Sequence, residues 1–214
     1  MKKLVMGSMV MMLILVLATA CSGSKAKTID VGTTANGTYT NDYFGISLNF
    51  PTEWEFKNEE EMQELAEAGQ ELIAGDDASK KKKLDLASVK TLNLLVASKY
   101  PIGGEQVGPS IMSVAEKVSK LQGISSGKDY LEASKKLMVE SQLPYQFKEI
   151  TTVTVGGKEF HVMEVSIDTG AMVVTQNYYS RIIEGYAFNL ITTYENEESK
   201  AETDKIIGSV AFKS

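Results

Sequence analysis

The chain has 214 residues, with 22 Lys and Arg against 28 Asp and Glu, a formal charge of −6 at pH 7, one His and one Cys. This acidic balance is a poor match to nucleic acid or to an anionic lipid surface, both of which are held by Lys and Arg neutralising phosphate. A single His excludes a multi-histidine metal site within one chain, and a single Cys excludes an internal disulfide, so the fold must rest on its hydrophobic core.

Residues 1–20 read as a processing segment. Lys2 and Lys3 make its start positive, the run from Leu4 to Leu17 is almost wholly apolar, and Ala18-Thr19-Ala20 are small residues suited to cleavage. The run is too short to span a hydrocarbon core about 30 Å thick. Leu17-Ala18-Thr19-Ala20-Cys21 resembles the lipobox of bacterial lipoproteins, with Leu one position further from the cysteine than is usual there. The resemblance implies acylation of Cys21, cleavage before it, and an extracytoplasmic, membrane-anchored chain with no thiol left for catalysis or metal. Removing residues 1–20 takes away Lys2 and Lys3 and no acid, leaving 20 basic and 28 acidic residues and a charge of −8. Residues 22–38 are small and polar without periodicity, so residues 21–38 read as a lipidated flexible tether and 39–214 as a single globular domain.

From Tyr39 onward the patterning is mixed. Phe44, Ile46, Leu48 and Phe50 alternate as in a half-buried strand that Pro51 stops. The spacing of Met62, Leu65, Ala66, Gly69, Leu72 and Ile73 predicts a helix over 59–74, with three glutamates in its first turn and Gly75 to close it. Asp76 to Lys83 is expected to be a charged loop. Strands follow at 91–97 and 111–118, separated by a turn around Pro101-Ile102-Gly103-Gly104. A second helix over 128–141 buries Tyr130, Leu131, Ser134, Leu137 and Met138, with Ser126 and Asp129 forming a capping box before it and Pro144 preventing its continuation.

The remainder is a meander. Val153–Val155 and Phe160–Val165 flank a Gly156-Gly157 turn, and 172–182 and 186–193 form a hairpin across Ile183-Glu184-Gly185. A short polar helix over 196–207 and an apolar stretch at Val210-Ala211-Phe212 follow. Meandering strands with occasional helices imply an α+β fold: an antiparallel sheet flanked by helices, an α/β/α sandwich.

Tyr43-Phe44-Gly45-Ile46-Ser47-Leu48 with Pro51 and Trp54, the Gly156-Gly157-Lys158 turn, Gln176-Asn177-Tyr178-Tyr179, Gly185-Tyr186-Ala187, and Ile206, Ile207, Ser209 and Phe212 together resemble the PsbP-like superfamily. That superfamily includes an extrinsic photosystem II subunit, a Ran-binding import factor and many bacterial lipoproteins. The resemblance implies a central antiparallel sheet between helices and carries no chemistry. The helix at 59–74 and the lysines after it are not part of the pattern.

Gly123-Ile124-Ser125-Ser126-Gly127 matches G-x-S-x-G between a strand and a helix, which would make Ser125 a nucleophile with His161 as base. Its alternative is a helix-capping turn, favoured because His161 lies within a strand and the sheet is expected to be antiparallel. His161 shares a face with Met163, Val165 and Ile167, the setting of a partly buried structural imidazole. Glu59-Glu60-Glu61, Asp76-Asp77 and the acids from Glu195 to Asp204 lack the spacing of a calcium loop. Lys80 to Lys83 read as solvated, flanked by Asp76, Asp77 and Asp85. No metal, cofactor or catalytic residue is therefore assigned.

Three function classes follow. The first is a non-catalytic binding or assembly module, held to membrane lipid through acylated Cys21 and meeting a protein partner at the cell surface. The second is a receptor for a small solute, which a pocket between sheet and helix would favour. The third is a hydrolase using Ser125.

Overall fold

The computed structural model describes residues 29–102, 108–141 and 143–213. Its first elements are β1 (Thr33–Ala35), β2 (Thr38–Asn41), β3 (Ile46–Asn49), β4 (Glu55–Phe56), α1 (Glu59–Ala74), α2 (Ala78–Ser88), β5 (Thr91–Ser98) and β6 (Ser110–Lys117). There follow α3 (Gly127–Glu140), β7 (Tyr145–Phe147), β8 (Thr151–Val155), β9 (Lys158–Asp168), β10 (Val173–Ile183), β11 (Tyr186–Tyr194), α4 (Glu197–Gly208) and β12 (Ala211–Phe212).

All pairings are antiparallel. A large sheet runs β4-β5-β6-β11-β10-β9-β7, with β8 also pairing β9, and a small sheet runs β1-β2-β3-β12. The two-residue period of the long strands decides what each face meets. Phe160, Tyr179, Tyr186, Phe188 and Leu190 lie on one face, packed with Ile46 and Leu48 of the small sheet and Ile206 and Ile207 of α4. Met163 and Val165 point the other way, onto Leu131 and Met138 of α3. Helices therefore cover both faces of one antiparallel sheet, as the α+β reading expected, and the small sheet joins α4 on its side.

Phe44, Ile46, Leu48 and Phe50 are all buried, as their alternation requires. Helix α1 spans the expected 59–74, capped by Asn58 and Glu61 at one end and Gly75 at the other, although Gly69 of its expected buried stripe is exposed. The Gly156-Gly157 turn has φ of 56° and 74°. A side chain at Gly156 would also place its Cβ 2.8 Å from the Val210 carbonyl.

Three expectations are corrected. The segment expected to be a charged loop after Gly75 is helix α2, started by the Asp77 side chain accepting from the amides of Ser79 (2.8 Å) and Lys80 (3.1 Å). It packs against α1 and β5 with Leu84 buried, and Lys80 Nζ reaches the Glu140 carbonyl at the end of α3 (2.6 Å). The ordered domain also begins before Tyr39: β1 pairs with β2, the Tyr39 hydroxyl donates to Val31 O (2.8 Å), and Asn41 Nδ2 donates to Asp30 O (3.1 Å). Because β1 is exposed along its length, no apolar alternation marks it. Last, β10 runs through Ile183, so the β10–β11 turn is the two residues Glu184 and Gly185, both at positive φ.

Candidate functional site

The alternation in β6 that buries Ile111, Ser113 and Ala115 on one face sends Met112, Val114 and Glu116 to the face that carries α3. There α1, α2 and α3 leave a cleft of about 440 Å³ against the sheet. Gln63, Ala66 and Gln70 of α1 and Leu84 and Ser88 of α2 form one wall, Leu137 of α3 the other, and Thr91, Asn93 and Glu116 the floor. A shallower groove of about 250 Å³ between α1 and α2 shares Gln63, Gln70 and Ser88 and adds Glu67, Glu71, Lys81 and Asp85.

Glu116 is the charged group in the floor. Tyr130, one turn into α3, donates its hydroxyl to Glu116 Oε2 (3.0 Å). Burial pushes the Glu116 carboxyl above the usual carboxylate range, against the opposing pull of the Tyr130 hydrogen bond and the Lys90 charge. Burial, together with the neighbouring carboxylate, also pushes the Tyr130 hydroxyl well above its ordinary value. Asn189 of β11, itself buried, lies against that same hydroxyl. The arrangement offers a fixed acceptor at the base of a partly apolar cleft, which suits binding. Its walls depend on α2, and the sequence pattern leaves α2 unmarked; the available signal was Glu116 itself, a carboxylate in phase with Met112 and Val114.

Ser125 lies elsewhere. It precedes Ser126, the N-cap of α3, and its hydroxyl donates to Asp129 Oδ2 (2.8 Å), as do the amides of Ser125 (3.0 Å) and Ser126 (3.0 Å). Asp129 N returns a bond to Ser126 Oγ (3.1 Å), closing the expected capping box. The Ser125 hydroxyl, with the amides of Ser125 and Ser126, holds the Asp129 carboxyl down at about 2, which makes it a weak base. A nucleophile elbow places its serine at a strained strand-to-helix turn, yet among the described residues only Asn36 and Glu184 combine positive φ with a side chain. The last glycine of the motif has a packing reason: a Cβ on Gly127 would lie 2.1 Å from Ser180 O. His161 is half-buried on β9, paired across the sheet with Thr152 and Ser180.

Glu59, Glu60 and Glu61 occupy the first turn of α1, and Glu197 and Glu198 that of α4, where carboxylates favour the helix dipole. Lys81 and Lys82 are exposed on α2. Among the described residues, no group of three His, Cys, Asp or Glu could hold a metal ion, and no helix is long and apolar enough to cross a membrane. Residues 1–28, with Cys21, and the turn residues Gly103 and Gly104 lie outside the described residues.

No protein-family model matches this chain, and no curated protein sequence does. Among solved structures, the chain is similar to cyanobacterial PsbP from Synechocystis sp. PCC 6803, at 11% identity and TM-score 0.48, over 89% of this chain and 100% of that one. It is similar to LpqN of Mycobacterium tuberculosis, a protein involved in cell envelope biogenesis, at 15% identity and TM-score 0.44, over 86% and 87% of the two chains. A Bacteroides thetaiotaomicron protein is similar at 10% identity and TM-score 0.43, and this chain spans 46% of its length.

Proposed function

We propose that this chain is an extracytoplasmic lipoprotein, anchored through acylated Cys21, whose domain works by binding. The observation that carries the address is the sequence run from Lys2-Lys3 through the apolar stretch to Ala18-Thr19-Ala20-Cys21. With β1 starting at Thr33, the intervening chain keeps the domain within about 40 Å of the anchor even when fully extended. In this role the domain presents a surface to a protein partner at the cell surface. The cleft beneath α1 and α2 favours a second reading of the same address, capture of a small solute. Binding is preferred to serine catalysis because the Ser125 hydroxyl is committed to a cap carboxylate.

Labelling cells with a tagged fatty acid tests the address: the wild-type protein incorporates the tag and Cys21→Ser does not. Equal incorporation by Cys21→Ser overturns the anchor. In the same preparations an activated-serine probe leaves the protein unlabelled; labelling that disappears in Ser125→Ala would replace binding with hydrolysis.

A further inference from the structure

We infer that the cleft between α1, α2, α3 and strands β5 and β6 binds a primary ammonium group carried on a short aliphatic chain, with Glu116 as its counter-ion. The inference rests on the solute-binding reading of the cleft and names the ligand for it. At about 440 Å³ the cleft lies within the range of small-molecule sites. Its floor holds one carboxylate, and that carboxylate is fixed from behind, since Tyr130 takes Oε2 and buried Asn189 lies against the Tyr130 hydroxyl.

The second carboxylate oxygen is the acceptor left for an occupant. Asn93, also in the floor, adds an amide oxygen, and Gln63 another from the wall. Three acceptors in the lining of one partly apolar cleft match the three N–H donors of a primary ammonium. The side chains of Ala66, Leu84 and Leu137 then take the methylenes.

Competing ligand chemistries fit less well. An anion meets Glu116 in the floor and Glu67, Glu71 and Asp85 at the adjoining groove, where Lys81 is the opposing charge. A neutral occupant without donors removes water from Glu116 and leaves its oxygen unpaired. Lys90 already acts on Glu116 from the α2–β5 turn, so the ammonium competes with that charge for the carboxylate.

The test is calorimetric titration of the full-length protein, purified in detergent, with n-butylammonium, butyltrimethylammonium, butanol and butyrate. The inference expects saturable one-to-one binding of n-butylammonium and at least tenfold weaker binding of the trimethylated ion, which has lost its donors. Glu116→Gln, shown to be folded by its melting transition, weakens n-butylammonium at least tenfold, and Tyr130→Phe weakens it several-fold with the charge retained. Should Glu116→Gln fail to fold, Leu137→Trp fills the cleft at constant charge and abolishes binding. Equal binding of n-butylammonium by wild type and Glu116→Gln overturns the inference. Butanol or butyrate binding that Leu137→Trp removes, with no ammonium binding, overturns it while leaving the cleft a solute site. No binding of any of the four overturns the cleft reading as well, whereas the Cys21 anchor is decided separately by fatty-acid labelling.

Discussion

Asp129 titrates from an ordinary value of 3.8 in a flexible chain to about 2 in the fold, because the Ser125 hydroxyl and the amides of Ser125 and Ser126 all donate to its ionised form. A depressed carboxyl stabilises the fold fully above its unfolded value, and the contribution disappears as pH falls through its folded value. Asp129→Ala is therefore expected to melt below wild type at pH 7, with the gap closing between about pH 4 and 2. Ser126→Ala, which removes the reciprocal cap, costs about 1 kcal/mol with little dependence on pH in that range. Thermal melts across the range check both; a gap for Asp129→Ala that stays constant to pH 2 would show that its charge is not the source. These bonds also explain how a G-x-S-x-G match arises without a nucleophile. Ser125 and Ser126 serve the helix start, and Gly127 lets α3 rest on the Ser180 carbonyl.

Elements with both a periodic stripe and a cap were legible. Helices α1 and α3 have apolar positions every three or four residues, and Glu59-Glu60-Glu61 with Gly75 bound the first while Ser126 with Asp129 marks where the second begins. Helix α2 has the cap without the stripe, since Lys80 to Lys83 interrupt any apolar face and Leu84 supplies its described buried contact, so its lysines read as loop. The cleft was illegible for the same reason, being bounded by an element the pattern does not announce. The β8–β9 turn was legible from Gly156-Gly157, but the two positions are not equivalent. Both have positive φ, yet only Gly156 faces an obstacle, Val210 O. Gly157→Val is expected to cost about 1–2 kcal/mol for the left-handed backbone. Gly156→Val should cost at least about 1 kcal/mol more for the added steric conflict. Denaturant unfolding decides: a larger loss at Gly157 would show that packing against Val210 does not govern this turn.

At the scale of the whole molecule, the antiparallel fold class was readable because the long strands of the meander follow one another in sequence and pair with their neighbours. Strands β8 through β11 join by short connections, two of them two-residue turns, so their contacts close small loops. The small sheet is different in kind: Ile46 on β3 pairs with Phe212 on β12, across most of the chain, and no local pattern announces that union. This difference sets an order of assembly. Short loops close at low entropic cost and long ones late, so residues 151–194 are expected to form the folding nucleus. In stopped-flow chevrons Leu190→Ala should slow folding, with a φ-value above about 0.5, whereas Ile46→Val should mainly speed unfolding, with a φ-value near zero. The reverse ranking would place the nucleus at the chain ends. Until residues 211–212 dock, the face formed by Phe160, Phe188 and Leu190 has only part of its cover. The nascent domain therefore carries an open apolar surface until its last strand arrives, and it is in that interval that aggregation competes with folding.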